Sequence, residues 1–515
     1  MQLNLLLTSD VHAYLTPTNY VEPTFGKPFS LERAVTILRQ QQKQCRFSLT
    51  FDDGDYLEGS PLGFYLAKVK HEAAPKVIDD AFNSVHYDYG IVGNHEFNYG
   101  QAYLKNSIRE SHRQFLCANV IDDQGRHPFG QPYAIKQVGP IKVAVMGLTT
   151  QGATKWEKPE NLKGLRFVSA VTAAKKYVPQ MRKKANVVIL AYHGGFERNK
   201  QGQPTETLKG ENESYQILKE VKGIDALLTG HQHRVIADHL FGVPIIQVGH
   251  RGEYVGKVTL EINSKRQVTA SQVKLIPTKN VTPDPRTVRI VKPTQSAVDR
   301  WLDRPLAKVK GSLLFRSAPA ARINKCSFIE FIQRVQMKTM GAKLSAASLF
   351  TNEAHGFANP ITLRNIMTNY VYPNHLSLSI ISGRTLKAAM EQSAKYFTFK
   401  NGHITVSRPF VYPKPLNYCY DMYEGVNYVI NVAKPVGHRI TKLTYRGQPV
   451  RPNQKFKIVL NHYRAVGGGH YPMFNRKQIK RTSYLVMDQI IAKYLRKHPV
   501  IQATNHHNFK VIYKK

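Results

Sequence analysis

Residues Leu3–His12 read LNLLLTSDVH, an apolar run that ends in two residues able to bind a metal ion, Asp10 and His12. The run from Leu3 to Leu7 has the length and composition of a buried β-strand. In open α/β sheets, binding and catalytic residues lie in loops at the carboxyl ends of the strands. A strand followed at once by such a pair therefore predicts an α/β fold with its site at the strand ends.

The same arrangement recurs along the first half of the chain. Polar residues follow apolar runs at Asp53–Asp55 after Phe47–Phe51, Gly93–Glu96 after Tyr89–Val92, His193–Gly195 after Val187–Ala191, and Gly230–His233 after Ala226–Leu228. Two more apolar runs, Val143–Met146 and Ile245–Val248, also read as buried strands. Helical patterns lie between strands at Leu31–Gln42, Glu72–Phe82 and Ala170–Val178. We therefore expect a layered domain with strands inside and helices outside.

The length of 515 residues predicts two domains, because single hydrophobic cores rarely grow beyond about 250–300 residues. Between Lys279 and Arg304, three prolines are followed by a helical pattern at Thr294–Leu302. We expect a first domain at 1–280, a linker with a connecting helix at 281–304, and a second domain at 305–515. Helices at Phe328–Thr339 and Thr385–Ala394, and strands at His375–Ser379 and Lys455–Leu460, are expected in the second domain.

Composition limits the class of protein. The chain is 42% hydrophobic and 21% charged, which is typical of a globular protein, and it has no apolar stretch long enough to span a membrane. The first apolar run lacks a basic start and a small-residue cleavage site, so we expect no export signal and a cytoplasmic protein. The 4 cysteines are far apart, which predicts reduced thiols rather than disulfides or a zinc thiolate site.

The net charge is +38, from 73 Lys and Arg against 35 Asp and Glu. Such an excess speeds the capture of phosphate substrates and also raises the hypothesis of nucleic-acid binding. The positive residues are spread along the chain rather than gathered in one arm, so we expect only non-specific binding to nucleic acids. The expected state in solution is a monomer.

The five polar clusters together predict a centre for two divalent cations. Neighbouring cations need a shared anionic ligand, and Asp55 is the natural bridge because one carboxylate offers two oxygens. Alternate residues of an extended segment share a face, so we expect Asp10 and His12 to point the same way, as do His231 and His233. Any one cluster alone is more often an ordinary loop, whereas five in order at strand ends are far more specific.

The order of these clusters, DxH, GD, GNH, H and GHxH, resembles the calcineurin-like metallophosphatases. Longer segments resemble the bacterial 5′-nucleotidase family, and within it the 2′,3′-cyclic-nucleotide 2′-phosphodiesterase/3′-nucleotidase enzymes. These segments are GDYLEGSPLGFY (54–65), GNHEFNYG (93–100), LRNIMTNYVYPN (363–374), DMYEGVNY (421–428) and NHYRAVGGG (461–469). The resemblance covers nearly the whole chain. It implies an N-terminal layered α/β/β/α metallophosphatase domain, joined by a linker helix to a C-terminal α/β nucleotide-specificity domain.

The resemblance also implies roles for single residues of the centre. One ion would be held by Asp10, His12, Asp55 and His233, and the other by Asp55, Asn94, His193 and His231. Mixed oxygen and nitrogen donors admit Mn, Zn, Fe or Co. A metal-activated water would attack phosphorus while Asn94 and His95 offset the growing charge. His95 would act as an acid or charge stabiliser, unless it only caps the turn, and Glu96 would orient an imidazole.

For the nucleotide, the resemblance implies binding residues in the C-terminal domain. Tyr372 and Tyr463 would stack on the base, and Asn374 would contact a base edge. Gly468 lies in a glycine-rich loop that would let the backbone approach the sugar. These assignments depend on motif context, because any single tyrosine of the 27 in the chain is more often a packing residue.

Two departures bear on the substrate. Relatives of the 5′-nucleotidase type carry an Arg in a Gly-Gly-x-Arg segment that Phe350–Gly356 lacks, and an Asp where Gly469 stands. Both favour hydrolysis of 2′,3′-cyclic nucleotides and 3′-nucleotides. The alternatives are a 5′-nucleotidase or nucleotide-sugar hydrolase, and a basic RNA-binding protein that retains the fold. The complete ligand set argues against the last of these.

Overall fold

The computed structural model of the chain describes residues 1–22, 26–206, 208–353, 355–371, 374–412 and 415–515. The described residues form two compact units, Met1–Val298 and Asp299–Lys515. Each unit contains its own clusters of buried apolar side chains. Within the described ranges, no helix combines the length and the apolar character that crossing a bilayer needs.

Two mixed sheets form the centre of the first unit. Its described strands are β1 (Gln2–Thr8), β2 (Ser48–Asp52), β3 (Tyr89–Ile91), β4 (Gln114–Leu116), β5 (Val120–Asp122), β6 (Tyr133–Val138), β7 (Ile141–Thr149), β8 (Leu165–Phe167), β9 (Val187–His193), β10 (Ala226–Thr229), β11 (Val235–Leu240), β12 (Val243–Val248), β13 (Tyr254–Ile262) and β14 (Val268–Pro277). The first sheet has the order β14-β13-β1-β2-β3-β4, and the second has the order β11-β12-β10-β9-β7-β6. Strands β1 to β4 are parallel, and so are β7, β9, β10 and β12. In each sheet, the carboxyl ends of these strands therefore lie along one edge.

The two sheets pack face to face. Alternate side chains of β1, namely Leu3, Leu5 and Leu7, lie in one buried cluster with Val145 and Ile189 of the second sheet. Because alternate residues of a strand share a face, this cluster marks the interface between the sheets. The apolar runs that predicted the strands are buried on both faces for this reason.

Helices cover the outer faces of the two sheets. The described α-helices that begin in the first unit are α1 (Leu31–Gln44), α2 (Pro61–Phe64), α3 (Lys76–Asn83), α4 (Gln101–Glu110), α5 (Ala153–Trp156), α6 (Ala170–Lys184), α7 (Ser214–Glu220) and α8 (Pro285–Leu302). Helix α1 packs against β1 and β13 of the first sheet, and α6 packs against β7 and β9 of the second. The order helix, sheet, sheet, helix confirms the predicted α/β/β/α layers.

Helix α8 begins nine residues earlier than the predicted helix at Thr294–Leu302. The side chain of Asp284 accepts hydrogen bonds from the backbone nitrogen and the hydroxyl of Thr287, both at 2.9 Å, and so caps the first turn. Pro285 follows at the first helical position, where a missing N–H costs nothing and the fixed φ angle suits a helix. The predicted helix began only after Pro293, which was read as a break, whereas α8 continues through this proline.

One further helix and a pair of strands also differ from the prediction. The predicted helix at Glu72–Phe82 is shorter and begins at Lys76, directly after Pro75. Strands β13 and β14, an antiparallel pair at one edge of the first sheet, were not predicted. β14 carries no continuous apolar run, because many of its side chains face solvent.

The second unit combines helices with several sheets. Its described strands are β15 (Pro305–Lys310), β16 (Leu313–Leu314), β17 (Leu344–Ala347), β18 (Gly356–Phe357), β19 (Ile361–Thr362), β20 (His375–Ser382), β21 (Phe397–Lys400), β22 (His403–Val406), β23 (Met422–Glu424), β24 (Asn427–Asn431), β25 (Ile440–Tyr445), β26 (Gln448–Pro449), β27 (Lys455–Asn461), β28 (Ile479–Val486), β29 (Val500–Gln502) and β30 (Phe509–Ile512). Its described α-helices are α9 (Ala318–Asn324), α10 (Ser327–Met340), α11 (Leu363–Asn369), α12 (Gly383–Ala394), α13 (His462–Ala465) and α14 (Met487–Lys497). The largest sheet has the order β23-β17-β27-β20-β28, with α10 packed on β17 and α12 on β20. This arrangement confirms the predicted α/β class of the C-terminal part.

Candidate metal centre

The side chains expected to bind metal lie at the carboxyl edges of the two sheets of the first unit. Asp10 and His12 follow β1, Asp55 follows β2, Asn94 follows β3, His193 ends β9, and His231 and His233 follow β10. Parallel strands end at the same edge of a sheet, so side chains far apart in sequence meet there. The first sheet supplies the first four of these residues and the second sheet supplies the other three.

Six of these side chains form two groups of converging donor atoms. Within each group all ligand atoms lie within 4.8 Å of one another, and the groups are Asp10, His12 and His233, and Asp55, His193 and His231. The groups are neighbours, because the backbone nitrogen of His12 donates to the carbonyl oxygen of Asp55 at 2.8 Å.

The first group has the spacing of ligands around a cation. His12 Nε2 lies 3.0 Å from His233 Nε2, and His233 Nε2 lies 3.3 Å from Asp10 Oδ1. His12 Nδ1 lies 2.6 Å from the carbonyl oxygen of Glu58, so it carries the proton and leaves a lone pair on Nε2. Ligand atoms held at roughly 2.1 Å around a tetrahedral ion are about 3.4 Å apart. The donor set and its spacing therefore fit a divalent metal ion.

The second group contains buried polar atoms that lack partners. His193 Nδ1 donates to the carbonyl oxygen of Asp53, and His193 Nε2 lies 3.0 Å from Asp55 Oδ2. Among the described residues, His193 Nε2, Asn94 Oδ1 and both carboxyl oxygens of Asp53 have no hydrogen-bond partner. Such atoms are rare in protein interiors because their desolvation is costly. A cation bound here would satisfy the Asn94 and His193 atoms, so this group fits a metal ion as well.

Left-handed backbone, rather than an extended segment, brings the paired residues together. The φ angles are 53° at both Asp10 and His12, 67° at His231 and 56° at His233. Asp55 has the same conformation, with a φ of 53°. The expectation of alternate residues on an extended strand was therefore wrong in its reason, although the side chains do converge. Non-glycine residues in this region cost of order 1–3 kcal/mol each, and such strain clusters at functional sites.

The carboxylates of the centre are held in their ionised form. Burial alone would raise the pKa of Asp10, but the hydrogen bond from His233 and the charge of His193 hold it well below its usual range. Burial opposes ionisation of Asp55 too, and His193 with His95 hold its pKa well below the usual range. Ionised carboxylates are the form that binds cations.

Most imidazoles of the centre are neutral. Burial lowers the pKa of His12 and His231, and lowers that of His233 to about 3. His193 differs: burial opposes its charge, yet Asp55 and other carboxylates raise its pKa well above the usual value. A metal ion would take the place of the proton on His193 Nε2, because a metal-bound imidazole must be deprotonated at the ligating nitrogen.

His95 stands beside the donor groups without belonging to either. Its side chain is 40% exposed, and its Nδ1 lies 2.7 Å from Asn98 Oδ1 and 3.1 Å from Glu58 Oε2. Its backbone nitrogen donates to Asp55 Oδ1 at 2.8 Å, and its ring is 5.3 Å from that of His12. Burial opposes its charge, but Asp55 and Glu58 raise the pKa of His95 to about 10. A positively charged imidazole therefore faces the opening of the centre.

Glu96 organises backbone rather than an imidazole. Its carboxylate accepts hydrogen bonds from the backbone nitrogens of Asp55 and Tyr56, both at 2.8 Å, of Leu57 at 3.2 Å and of Gly93 at 2.6 Å. The expectation that Glu96 orients an imidazole was wrong, because four amide groups of the surrounding loops already occupy its two oxygens. Glu96 instead fixes the loop that presents Asp55.

Comparison with known proteins now identifies the family. The family described as calcineurin-like phosphoesterase matches residues 3–235, and the 5′-nucleotidase C-terminal domain matches residues 305–476. A Staphylococcus aureus structure, provisionally named a 5′-nucleotidase and solved with α-ketoglutarate, is 34% identical, covers 99% of this chain and 100% of that one, and has a TM-score of 0.90. The chain belongs to the calcineurin-like phosphoesterases with a 5′-nucleotidase C-terminal domain.

Two relatives share a name that refers to cyclic nucleotides. The Salmonella typhimurium protein is 29% identical over 91% of this chain and 82% of its own length. The Haemophilus influenzae protein is 27% identical over 96% of this chain and 84% of its own length. Both are named 2′,3′-cyclic-nucleotide 2′-phosphodiesterase/3′-nucleotidase. This phosphoesterase is a hydrolase of the 5′-nucleotidase family, and the calcineurin-like phosphoesterases use divalent metals.

Several residues that contact the candidate metal-binding histidines of the phosphoesterase were not found from the sequence. Glu211 Oε1 lies 3.2 Å from His231 Nε2, and the Trp156 ring stacks on His231 at 5.8 Å. The His250 ring stacks on His233 at 4.8 Å with only 7° between the planes. Their spacing in sequence gives no signal, because each lies in a loop or short helix far along the chain from its partner.

The proposed nucleotide-binding residues of the phosphoesterase lie at one end of the largest sheet of the second unit. Tyr463 lies in α13, directly after β27, and its hydroxyl accepts a hydrogen bond from the Gly469 nitrogen at 3.0 Å. Gly468 packs on the Tyr463 ring, where an added Cβ would lie 2.6 Å from ring atoms. Asn374 directly precedes β20, which pairs with β27. Tyr372 lies outside the described residues.

Proposed function

We propose that this phosphoesterase hydrolyses nucleotide phosphoesters, above all 2′,3′-cyclic nucleotides and 3′-nucleotides. The observation that carries the proposal is the pair of adjacent donor groups, with Asp55 at the point where they meet. Two relatives named for this activity support the choice of substrate.

Two divalent cations would bind at the adjacent donor groups. The proposed ligands of one are Asp10, His12, Asp55 and His233, and those of the other are Asp55, Asn94, His193 and His231. Bound cations supply Lewis acidity: they lower the pKa of water and offset the negative charge of phosphoryl oxygens. Mn, Zn, Fe and Co all suit the mixture of carboxylate, amide and imidazole donors.

Residues of the chain would orient the reacting phosphate and stabilise its negative charge. His95 offers a positively charged N–H, because Nδ1 is held by Asn98 and Glu58 and Nε2 is left for the phosphate. From this position Nε2 would donate a hydrogen bond to the leaving oxygen, or a proton as that oxygen departs. Glu96 keeps Asp55 in place through four backbone amides, so the shared ligand does not reorganise during the reaction.

Phosphate release from a panel of substrates tests the proposal. The wild type, supplied with Mn²⁺, should hydrolyse 2′,3′-cyclic AMP and 3′-AMP faster than 5′-AMP. Asp55→Asn should lose at least a hundredfold in kcat/KM on every substrate, because the shared anionic ligand is gone. Asp238→Asn, which changes a carboxylate on exposed β11, is the matched control and should keep full activity. Hydrolysis that survives in Asp55→Asn would contradict the proposal.

A second candidate is 5′-nucleotidase activity. It is favoured by the provisional name of the Staphylococcus aureus structure, which is 34% identical to this chain. The segment Phe350–Gly356 and Gly469 depart from the 5′-nucleotidase pattern and favour the cyclic substrates. A higher kcat/KM on 5′-AMP than on 2′,3′-cyclic AMP in the same panel would make the second candidate correct.

A further inference from the structure

The positive charge of the second unit is concentrated in one part of the chain. Between Glu424 and Asp488 the sequence contains no Asp or Glu but twelve Lys and Arg residues. The positive residues are spread along the whole chain, but in this part no acidic residue offsets their charge. A segment with cations and no acidic residues attracts anions more strongly than a mixed surface of the same size.

Some of these cations lie beside the outermost strand of the largest sheet. Strand β28 ends the order β23-β17-β27-β20-β28, so its outer edge pairs with none of the described strands. Lys480 in β28, and Arg476 and Lys477 in the turn before it, are exposed. Among the described residues none of the three forms an ion pair. Their charges therefore remain available to an anionic partner.

Strand β28 also displays a tyrosine. Tyr484 is 94% exposed, more than any other large hydrophobic side chain in the described residues. It lies in an irregularity of the β20–β28 pairing between His375 and Ser377. Ser483 fixes this bulge: its hydroxyl accepts from the Leu376 nitrogen at 2.8 Å and donates to the Leu485 carbonyl at 2.6 Å. Bulges of this kind redirect a side chain, here the ring of Tyr484 into solvent.

The bulge lies next to the proposed nucleotide-binding residues. The hydroxyl of Ser377 lies 2.9 Å from His462 Nδ1 and 3.4 Å from the Thr482 hydroxyl, so β28 is linked to the residue before Tyr463. Burial first, and then the positive charge of Arg476, lower the pKa of His462.

We propose that Arg476, Lys477, Lys480 and Tyr484, here called the basic edge, bind the second nucleotide of a single-stranded oligonucleotide. The substrates would then include short RNAs that end in a 2′,3′-cyclic phosphate or a 3′-phosphate. This inference rests on the proposed function, because it assumes that the terminal nucleoside is the one bound by Tyr463.

Chemistry favours an oligonucleotide over other anions. In a 2′,3′-cyclic or 3′-phosphate the reacting phosphorus is on O2′ or O3′, so the chain can continue only from O5′. The next residue then brings one phosphodiester charge, which suits the cations, and one base, which suits the face of Tyr484. Proteins that bind single-stranded nucleic acids combine exposed aromatic rings with lysines and arginines in this way.

A comparison of two substrates tests the basic edge. Full-length wild type, Tyr484→Ala and Tyr484→Phe would be assayed with Mn²⁺ on 2′,3′-cyclic AMP and on ApA ending in a 2′,3′-cyclic phosphate. Tyr484→Ala should lose roughly tenfold in kcat/KM on the dinucleotide and stay within about twofold on the mononucleotide. Tyr484→Phe should resemble the wild type because the ring remains. Tyr513→Ala, at another exposed tyrosine, is the matched control and should change neither value.

A binding measurement separates this inference from the proposed function. Fluorescence anisotropy of labelled hexaadenylate would be followed with EDTA present, so that hydrolysis plays no part. Tyr484→Ala should weaken binding about tenfold. Replacing Arg476, Lys477 and Lys480 by Gln should reduce the slope of log affinity against log salt by about 2.

The outcomes are distinct. If the wild type hydrolyses no nucleotide but the basic-edge variants lose hexaadenylate binding, the proposed function fails and the oligonucleotide-binding surface stands. If mononucleotides are hydrolysed and Tyr484→Ala alters neither the dinucleotide preference nor the binding, the basic edge is overturned. It is also overturned if the wild type elutes as a dimer in size-exclusion chromatography and the sole effect of Tyr484→Ala is to convert it to a monomer. The outer edge of β28 would then pair with a second copy of the chain.

Discussion

At the scale of single residues, the absence of a side chain at Gly93 leaves room for Asp55, the proposed shared ligand. A Cβ at this position would lie 2.2 Å from Asp55 Oδ1 and 2.6 Å from the Asp55 nitrogen. Both atoms are fixed, the first by the His95 amide and the second by Glu96. The carboxylate of Asp55, the proposed shared ligand, can therefore lie this close only because residue 93 is a glycine.

Gly93→Ala should weaken Mn²⁺ binding at least tenfold. The added methyl group must displace Asp55, and small displacements of ligands or their supports cost about 10–100-fold in metal affinity. Isothermal titration calorimetry measures the affinity, and circular dichroism checks that the fold is retained. A folded variant with wild-type affinity would show that Asp55 is not a ligand in this geometry.

Glu211 provides a second prediction for single residues. It lies 3.2 Å from His231 Nε2, so Glu211→Gln should weaken binding of one cation about tenfold and leave the other nearly unchanged. Metal titration of the variant should then resolve two different affinities, whereas the two sites of the wild type should have more similar affinities. Glu220→Gln, at an exposed carboxylate in α7, is the control. Equal weakening of both ions would argue against a role specific to His231.

Glu32 makes stability depend on pH. Burial, and then the nearby Asp284, raise the pKa of Glu32 to about 8 from an ordinary value of 4.5. The folded protein therefore holds a proton that the unfolded chain releases, and the free energy of unfolding falls between about pH 4.5 and 8, by roughly 1.4 kcal/mol per unit. Relative to the wild type, Glu32→Gln should gain stability across this range in urea unfolding. A difference independent of pH would contradict the shifted pKa.

At the scale of elements, one arginine joins the strands behind the metal centre. Arg113, directly before β4, lies 2.6 Å from Asp52 at the end of β2 and 3.7 Å from Asp79 in α3. Its guanidinium also lies 4.2 Å from the Tyr56 ring and 4.3 Å from the Phe82 ring. Since all these groups are buried, Arg113 holds β2, β4 and α3 together beneath the loop that carries Asp55.

Arg113→Ala should lower the free energy of unfolding by about 3–5 kcal/mol. The substitution leaves two buried carboxylates without their cation, which costs more than the loss of an exposed ion pair. Urea unfolding measures the change. Arg109→Ala, at an exposed site in α4, should change stability by less than about 0.5 kcal/mol. If Arg113→Ala also lowered the free energy of unfolding by less than about 0.5 kcal/mol, the ion pairs of Arg113 with Asp52 and Asp79 would add no net stability.

At the scale of the whole molecule, the two units bury separate cores. The described clusters of buried apolar residues belong either to Met1–Val298 or to Asp299–Lys515, and the division falls within α8. All the proposed metal ligands lie in the first unit. Metal binding should therefore stabilise one unit only, because a ligand stabilises the part of the structure that binds it.

Calorimetry of the full chain should show two unfolding transitions, of which Mn²⁺ raises one. EDTA should remove the shift, and Asp55→Asn should show no shift at any Mn²⁺ concentration. A single cooperative transition that moves as a whole with Mn²⁺ would contradict separate unfolding of the units.

The strands of the fold were predicted correctly where a single local pattern, an apolar run, was enough to identify them. Buried parallel strands need apolar residues on both faces, so runs such as Leu3–Leu7 and Val187–Ala191 were recognisable without neighbours. Strand β14 was missed because its exposed side makes it polar, and the predicted α8 was too short because Pro293, which lies inside the helix, was read as a break.

The donor types and their order at strand ends are local properties of the chain, so the kind of centre could be predicted without the fold. Only the tertiary structure decided how the donors converge and which groups support them. Asp10 meets His231 across the two sheets, Glu96 binds amides of the loop after β2, and His250 stacks on His233 from the loop after β12. Contacts between residues far apart in sequence cannot be predicted from residue spacing, because they arise from packing rather than from local periodicity.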